Sequence, residues 1–320
     1  MQVGNTAELL VGNKSADTVW RLSLRDGRRI GEFRTGEAPH EIAVAPDGRL
    51  AVVTNYGAAK SGNTLSVLEW RSGKPARSID LGPHSAPHGP GCLADGRRVL
   101  VTTEGSASVL VVDVPKGEIE RVIEVGGGTG HMMAVSPDGR VAYLTKIQAG
   151  TLSRIDLQTG VKTVERPAGK GAEGVAVRPD GTEVWVTNRE DGTITVHDPR
   201  TLVVKRRMSS KGFPIRVVFS PDGTLAFVTN ARAATLAVFN TRTRVPVASL
   251  SLSREDMTYQ PTMLGNAALP IGVAVAADRP RAYVAISGGD RIAVIDTQRW
   301  QVIDYWVTGR EPDALGIVAD

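Results

Sequence analysis

The chain is poor in the residues that usually mark a site. Its 320 residues include one cysteine, Cys92, and only five histidines. A single thiol excludes an internal disulfide and any cysteine-cluster metal site. Cys92 falls in an apolar strand and reads as a small buried hydrophobe. Charge of either sign is dispersed: 38 Lys and Arg stand against 34 Asp and Glu, a net +4 with an isoelectric point near 9.3. The densest basic run, KRRM at Lys205 to Met208, falls on an expected edge strand, where such residues discourage edge-to-edge pairing. A basic face with interleaved aromatics is missing, so no nucleic-acid partner is expected. There is no apolar run of the eighteen or more residues that a membrane helix needs. The start, MQVGNTAELLVGNKSADT, has neither a basic n-region nor an apolar h-region, so no signal peptide is expected within it. A removed leader would leave the same start, and the compartment stays open between cytoplasm and export. Neither G-x-S-x-G, nor a P-loop, nor a Ser-His-Asp hydrolase set is visible.

What the chain has instead is a repeat. Aspartates in tight-turn contexts, four of them PDG, recur at Asp47, Asp95, Asp138, Asp180, Asp222, Asp278 and Asp320. The spacings are 48, 43, 42, 42, 56 and 42 residues by subtraction. A period in the low forties suits propeller blades of four strands or helical repeats. The segments decide for strands. Runs such as VAV, VWVT and ITVH alternate, are rich in β-branched residues and show no 3.6-residue period. In the PDG step proline presets φ, aspartate bonds its own backbone and glycine accepts positive φ. The chain opens with three strands and closes with a lone inner strand, Asp313 to Asp320, which therefore completes the first blade. The expectation is an all-β, seven-bladed β-propeller of four antiparallel strands per blade, one domain over residues 1–320. Two long spacings mark insertions, a short one at Ala58 to Gly62 and a larger one at Ser253 to Ala268.

The segments VVTN, VWVTN and FVTN resemble the YVTN-repeat β-propeller family along essentially the whole chain. That resemblance implies the propeller fold. It covers enzymes and binding proteins alike, so it leaves function open. It leans towards a periplasmic or extracellular location after leader removal, with the cytoplasm as the alternative.

Inner strands line the channel, so seven residues at one register form a ring with a step of about 51°. Seven residues before each turn aspartate stand Asp313, His40, His88, His131, Glu173, Ile215 and Ile271. Three of the five histidines thus share one register on consecutive blades, followed by a carboxylate. Imidazoles from adjacent blades can converge on one point. We therefore expect His40, His88, His131 and Glu173 to hold one divalent transition metal ion, among Zn, Fe, Mn, Co, Ni and Cu; the lack of thiolates argues against a purely structural zinc. Virginiamycin B lyase-like and lactonase-like propellers are similar in placing a metal with histidine or carboxylate at the channel mouth. Peptidyl-hydroxyglycine lyases similarly gather three histidines from different blades.

The second strand of each blade returns to the face where the first begins. Its ends are read as Asn13, Asn55, Glu104, Lys146, Asn188, Asn230 and Ile286. Asparagine there caps a turn. Glu104 and Lys146 break the pattern beside the histidine blades and become candidates for moving a proton, with solvated turn residues as the bland alternative. His84, on the rim before His88, is a third candidate. Arg216 follows the ring position and is a candidate for an anionic substrate group or for packing between blades. The insertion 253–268, carrying Met257, Tyr259 and Met263, is a candidate lid, with Tyr259 as a substrate contact; a variable surface loop is the alternative. His197 lies on a third strand and receives no role.

These residues point to a metal-dependent hydrolase or lyase, monomeric, acting on a small carbonyl compound that the resemblance makes lactone- or ester-like. The alternative is a non-catalytic propeller that binds a small ligand, a metal or a protein partner.

Overall fold

The computed structural model describes residues 7–72 and 74–318. Within them lie seven four-stranded antiparallel sheets and no α-helix, only two single-turn 3-10 segments. The innermost strands are β4 (Pro39–Val44), β8 (Pro87–Cys92), β12 (Gly130–Val135), β16 (Ala172–Val177), β20 (Pro214–Phe219), β24 (Pro270–Val275) and β28 (Pro312–Val318). Each contacts the next, and β24 contacts β28, which contacts β4, so the ring is closed. The clasp is as expected: β28 pairs antiparallel with β1 (Glu8–Asn13), Leu9 facing Ile317 and Leu10 facing Gly316. That β28 sheet is blade one, and the β4 sheet is blade two. Asp320, expected as the last turn aspartate, lies outside the described residues. No helix here is long and apolar enough to cross a membrane.

The alternating pattern settles which strands are buried. Middle strands such as Val184–Asn188 and Ser108–Asp113 are buried along their whole length, because both faces meet a neighbouring blade. Outer strands such as Glu118–Glu124 bury about one residue in several and carry the charge. Each of the seven blade interfaces has its own apolar cluster, for example Val52, Leu65, Val101 and Leu110 between blades two and three. An eighth cluster, with Phe213, Ile215, Leu269 and Ile271, lies under the channel mouth at blades six and seven.

The turn aspartates act as the sequence implied. Asp47, Asp95, Asp138, Asp180 and Asp222 each accept a hydrogen bond from the backbone N–H two residues on. Asp278 departs from this and engages Arg279 instead.

Candidate functional site

The ring register holds. Asp313, His40, His88, His131, Glu173, Ile215 and Ile271 are each the second residue of their inner strand, and all seven line one cavity of about 310 Å³ at the channel mouth. Two backbone devices fix them there. The residue before each inner strand is left-handed: Ala38, Ala86, Thr129, Gly171, Phe213, Leu269 and Glu311. Six of these are not glycine, and a left-handed residue with a side chain costs roughly 1–2 kcal/mol. Its carbonyl accepts a hydrogen bond from the residue just past the second strand, as Ala38 does from Tyr56 and Ala86 from Glu104 (both 3.1 Å). The second device is a threonine at the VTN register, which reads VTT in blade three and LTK in blade four. Thr102, Thr145, Thr187 and Thr229 donate their hydroxyls to the backbone carbonyls of His131, Glu173, Ile215 and Ile271 in the following blade. Asn55, Asn188 and Asn230 donate to hydroxyls on the third strand of their own blade. The motif is the scaffold of the ring, and the ring residues carry the chemistry.

His88 is fully buried, its ring centroid 4.5 Å from that of His40 and 3.7 Å from that of His131. Both its nitrogens lack a hydrogen-bond partner, as do Nδ1 of His40 and Oδ1 of Asp313. Burial, aided by neighbouring positive groups, pulls His40 and His88 well below the ordinary imidazole range, so both are neutral with lone pairs available. His131 is held differently. It donates through Nδ1 to Glu104 Oε1 (2.5 Å) and through Nε2 to Glu173 Oε1 (2.9 Å). Burial opposes its charge, but Glu173 and Glu104 outweigh that and raise it to about 9. Glu173 is buried too; His131, Arg216 and Arg189 overcome the burial and hold it at about 2.

Ligand atoms of His88, Glu104 and His131 lie within 4.8 Å of one another, a group that could hold a metal ion. This set differs from the expected one. It includes Glu104 and leaves out His40 and Glu173; Glu173 is engaged by His131 Nε2, Arg189 and Arg216, and Glu104 by His131 Nδ1 and Tyr56. His40 borders the group, with Nδ1 3.8 Å from Asp313 Oδ2. Burial pushes the Asp313 carboxyl up to about 6.

A family profile described as "Lactonase, 7-bladed beta-propeller" matches residues 25–248. The chain belongs to this lactonase family of seven-bladed propellers. No curated protein matches its sequence. Among solved structures it is similar to Kuenenia stuttgartiensis hydrazine synthase, at 18% identity over 88% of this chain and 95% of that one, with a TM-score of 0.75. It is similar also to a functionally unknown protein from Desulfotomaculum acetoxidans DSM 771, at 17% identity over 97% and 98%, with a TM-score of 0.79. At these identities the likeness is one of fold.

In this lactonase-family propeller several expected residues lie elsewhere. Lys146 is the last residue of its strand, whereas Glu104 is one position beyond its own; the two are not equivalent. The Lys146 ammonium is buried away from the cavity, donating to the Val125 carbonyl (2.6 Å) and to Glu165 (3.2 Å). His84 bonds Ser106 (3.0 Å) in a hydroxyl network with Thr103 and does not line the cavity. Tyr259 does not line it either; its hydroxyl accepts from the Arg254 N–H (2.8 Å) and anchors the insertion from which Thr262, Met263 and Leu264 reach the rim. Arg216 does face the channel, but its guanidinium is engaged by Glu41 and Glu173.

Sequence reasoning missed Tyr56, Lys14 and Arg189, which also line the cavity. They share one register with Glu104, immediately after the second strand, and a scan of that position would have found them. Tyr56 stacks on His40 (5.0 Å) and donates to Glu104 Oε2 (2.7 Å). Lys14 stands 3.7 Å from Glu311.

Proposed function

We propose that this chain is a metal-dependent hydrolase or lyase for a small carbonyl compound, lactone- or ester-like. His88, His131 and Glu104 hold a divalent transition ion, and His40 stands beside them. One observation carries this reading: a fully buried imidazole, His88, with neither nitrogen partnered. Each unpartnered buried polar atom costs about 1–3 kcal/mol, and a cation or substrate atom at this point would offset it. The donor set, imidazole nitrogens plus one carboxylate without thiolate, suits such a metal. When bound, the ion supplies Lewis-acid polarisation of a carbonyl oxygen or a more acidic water.

The chain's own residues prepare the site. Glu173 fixes the ring plane of His131 through Nε2, and Arg189 and Arg216 fix Glu173 in turn. Tyr56 orients Glu104 through Oε2 and leaves Oε1 directed at His131. Arg216 ties blade six to Glu41 of blade two across the channel. Family membership supports hydrolysis of a lactone, and the cavity accepts a small molecule. A second reading, a binding propeller with a polar channel, draws on His131, whose nitrogens are both satisfied by carboxylates.

Elemental mass spectrometry on tag-free protein tests the proposal. About one equivalent of a transition metal is expected, lost in His88→Ala and in a His40/His88/His131 triple alanine variant. Absence of metal after reconstitution would leave the binding propeller.

A further inference from the structure

The cavity is divided by chemistry. Its unpartnered buried polar atoms lie on Asp313, His40, His88 and Arg189, in blades one, two, three and five. The arc of blades six and seven carries none among the described residues. There Ile215, Leu269 and Ile271, with Leu264 from the insertion, present carbon to the same space. The polar groups that remain on this side are already engaged: Ser287 donates to the Pro312 carbonyl, Thr262 to the Gly265 carbonyl, and Arg216 to Glu41 and Glu173. The wall is rigid, since Ile215 and Ile271 belong to a buried cluster and their carbonyls are pinned by Thr187 and Thr229. Met263 stands over it 82% exposed, an apolar side chain of the insertion with nothing packed on it.

We infer that this wall is a specificity subsite for a hydrocarbon substituent, so that the ligand is a small carbonyl compound with an apolar tail directed at blades six and seven. The inference rests on the proposed function for the carbonyl end only. The cavity, about 310 Å³, suits a small ligand. A carbonyl ring directed at His88 and His131 leaves the side of blades six and seven for a tail of a few carbons. A sugar-like ring would leave hydroxyls against Ile215 and Ile271 with no partner, which disfavours it.

The test uses two homologous series on the full chain loaded with its metal. Binding of 2-alkylcyclopentanones, which cannot be hydrolysed, is followed by calorimetry. Hydrolysis of γ-alkyl-γ-lactones is followed by pH-stat. Affinity for the ketones should rise about fourfold per added methylene, as apolar transfer predicts, and stop rising once the tail reaches about five carbons. Ile271→Ser should flatten the series; Met263→Ser, at an 82% exposed side chain of the insertion, should reduce its slope with the fold intact. Ketone binding that depends on tail length without any lactone hydrolysis would overturn the proposed reaction and keep the subsite. Lactone hydrolysis with equal or better turnover of short, polar rings, and ketone affinity independent of tail length, would overturn the subsite and keep the reaction.

Discussion

In the presence of a chelator His88→Leu should stabilise the protein, although it deletes a fully buried side chain at the centre of the site. Two terms compete. The imidazole makes ring contacts with His40 and His131, each worth roughly 0.5–1.5 kcal/mol, and leucine forfeits their orientation. Against this, both nitrogens are buried without partners, and each such group costs about 1–3 kcal/mol. Leucine has a similar volume and no polar atom, so the net gain is about 1–2 kcal/mol. For a chain of this length that is a rise in Tm of about 2 °C, best read as a higher urea midpoint with unchanged slope. Added metal should raise the wild-type midpoint, by about 2.7 kcal/mol at a hundredfold excess over Kd, and should leave His88→Leu unmoved. A chelated variant less stable than wild type by 2 kcal/mol or more would refute the reasoning, since it would mean that His88 has partners in the folded state. The prediction is an instance of a functional site held at a cost to stability.

Thr187→Val should cost about 2–4 kcal/mol in urea unfolding, because it strands the Gly174 N–H and the Ile215 carbonyl. Lys146→Met should cost about 1 kcal/mol and leave metal content unchanged, since Lys162 also bonds the Val125 carbonyl and Glu165. Below about pH 6.5 the protein should lose stability through His197. Burial lowers its pKa, while the Leu202 carbonyl only partly restores it. Above pH 6.5 both states are neutral there; below it the unfolded chain binds the proton that the folded one refuses, so stability falls as the pH drops. His197→Gln should remove that part of the slope in chemical denaturation at stepped pH. Gly174→Ala should lower the urea midpoint, because a Cβ there would lie 2.3 Å from the Ile215 carbonyl oxygen.

The period of the repeat, the strand identity and the closing clasp follow from the chain alone. Turn chemistry and two-residue alternation are local, and seven copies of a local signal reinforce one another. The same copies aligned Asp313, His40, His88, His131 and Glu173, so the ring was legible as a register. Registers one residue off the repeat were less so. Glu104 reads like a strand end, although its strand stops at Thr103, and this shift separates it from Lys146, which points into a blade interface.

Only the tertiary structure shows how the carboxylates meet the histidines. Glu104 and Glu173 flank His131 from two blades; Glu104 is held also by Tyr56, and Glu173 by a pair of guanidiniums 16 and 43 residues away in sequence. It also decided that Arg216 is engaged by Glu41, 175 residues distant, as well as by Glu173. Sequence spacing carries local backbone geometry because neighbours share bonds; charge pairing across a channel depends on distances that exist only once the ring has closed.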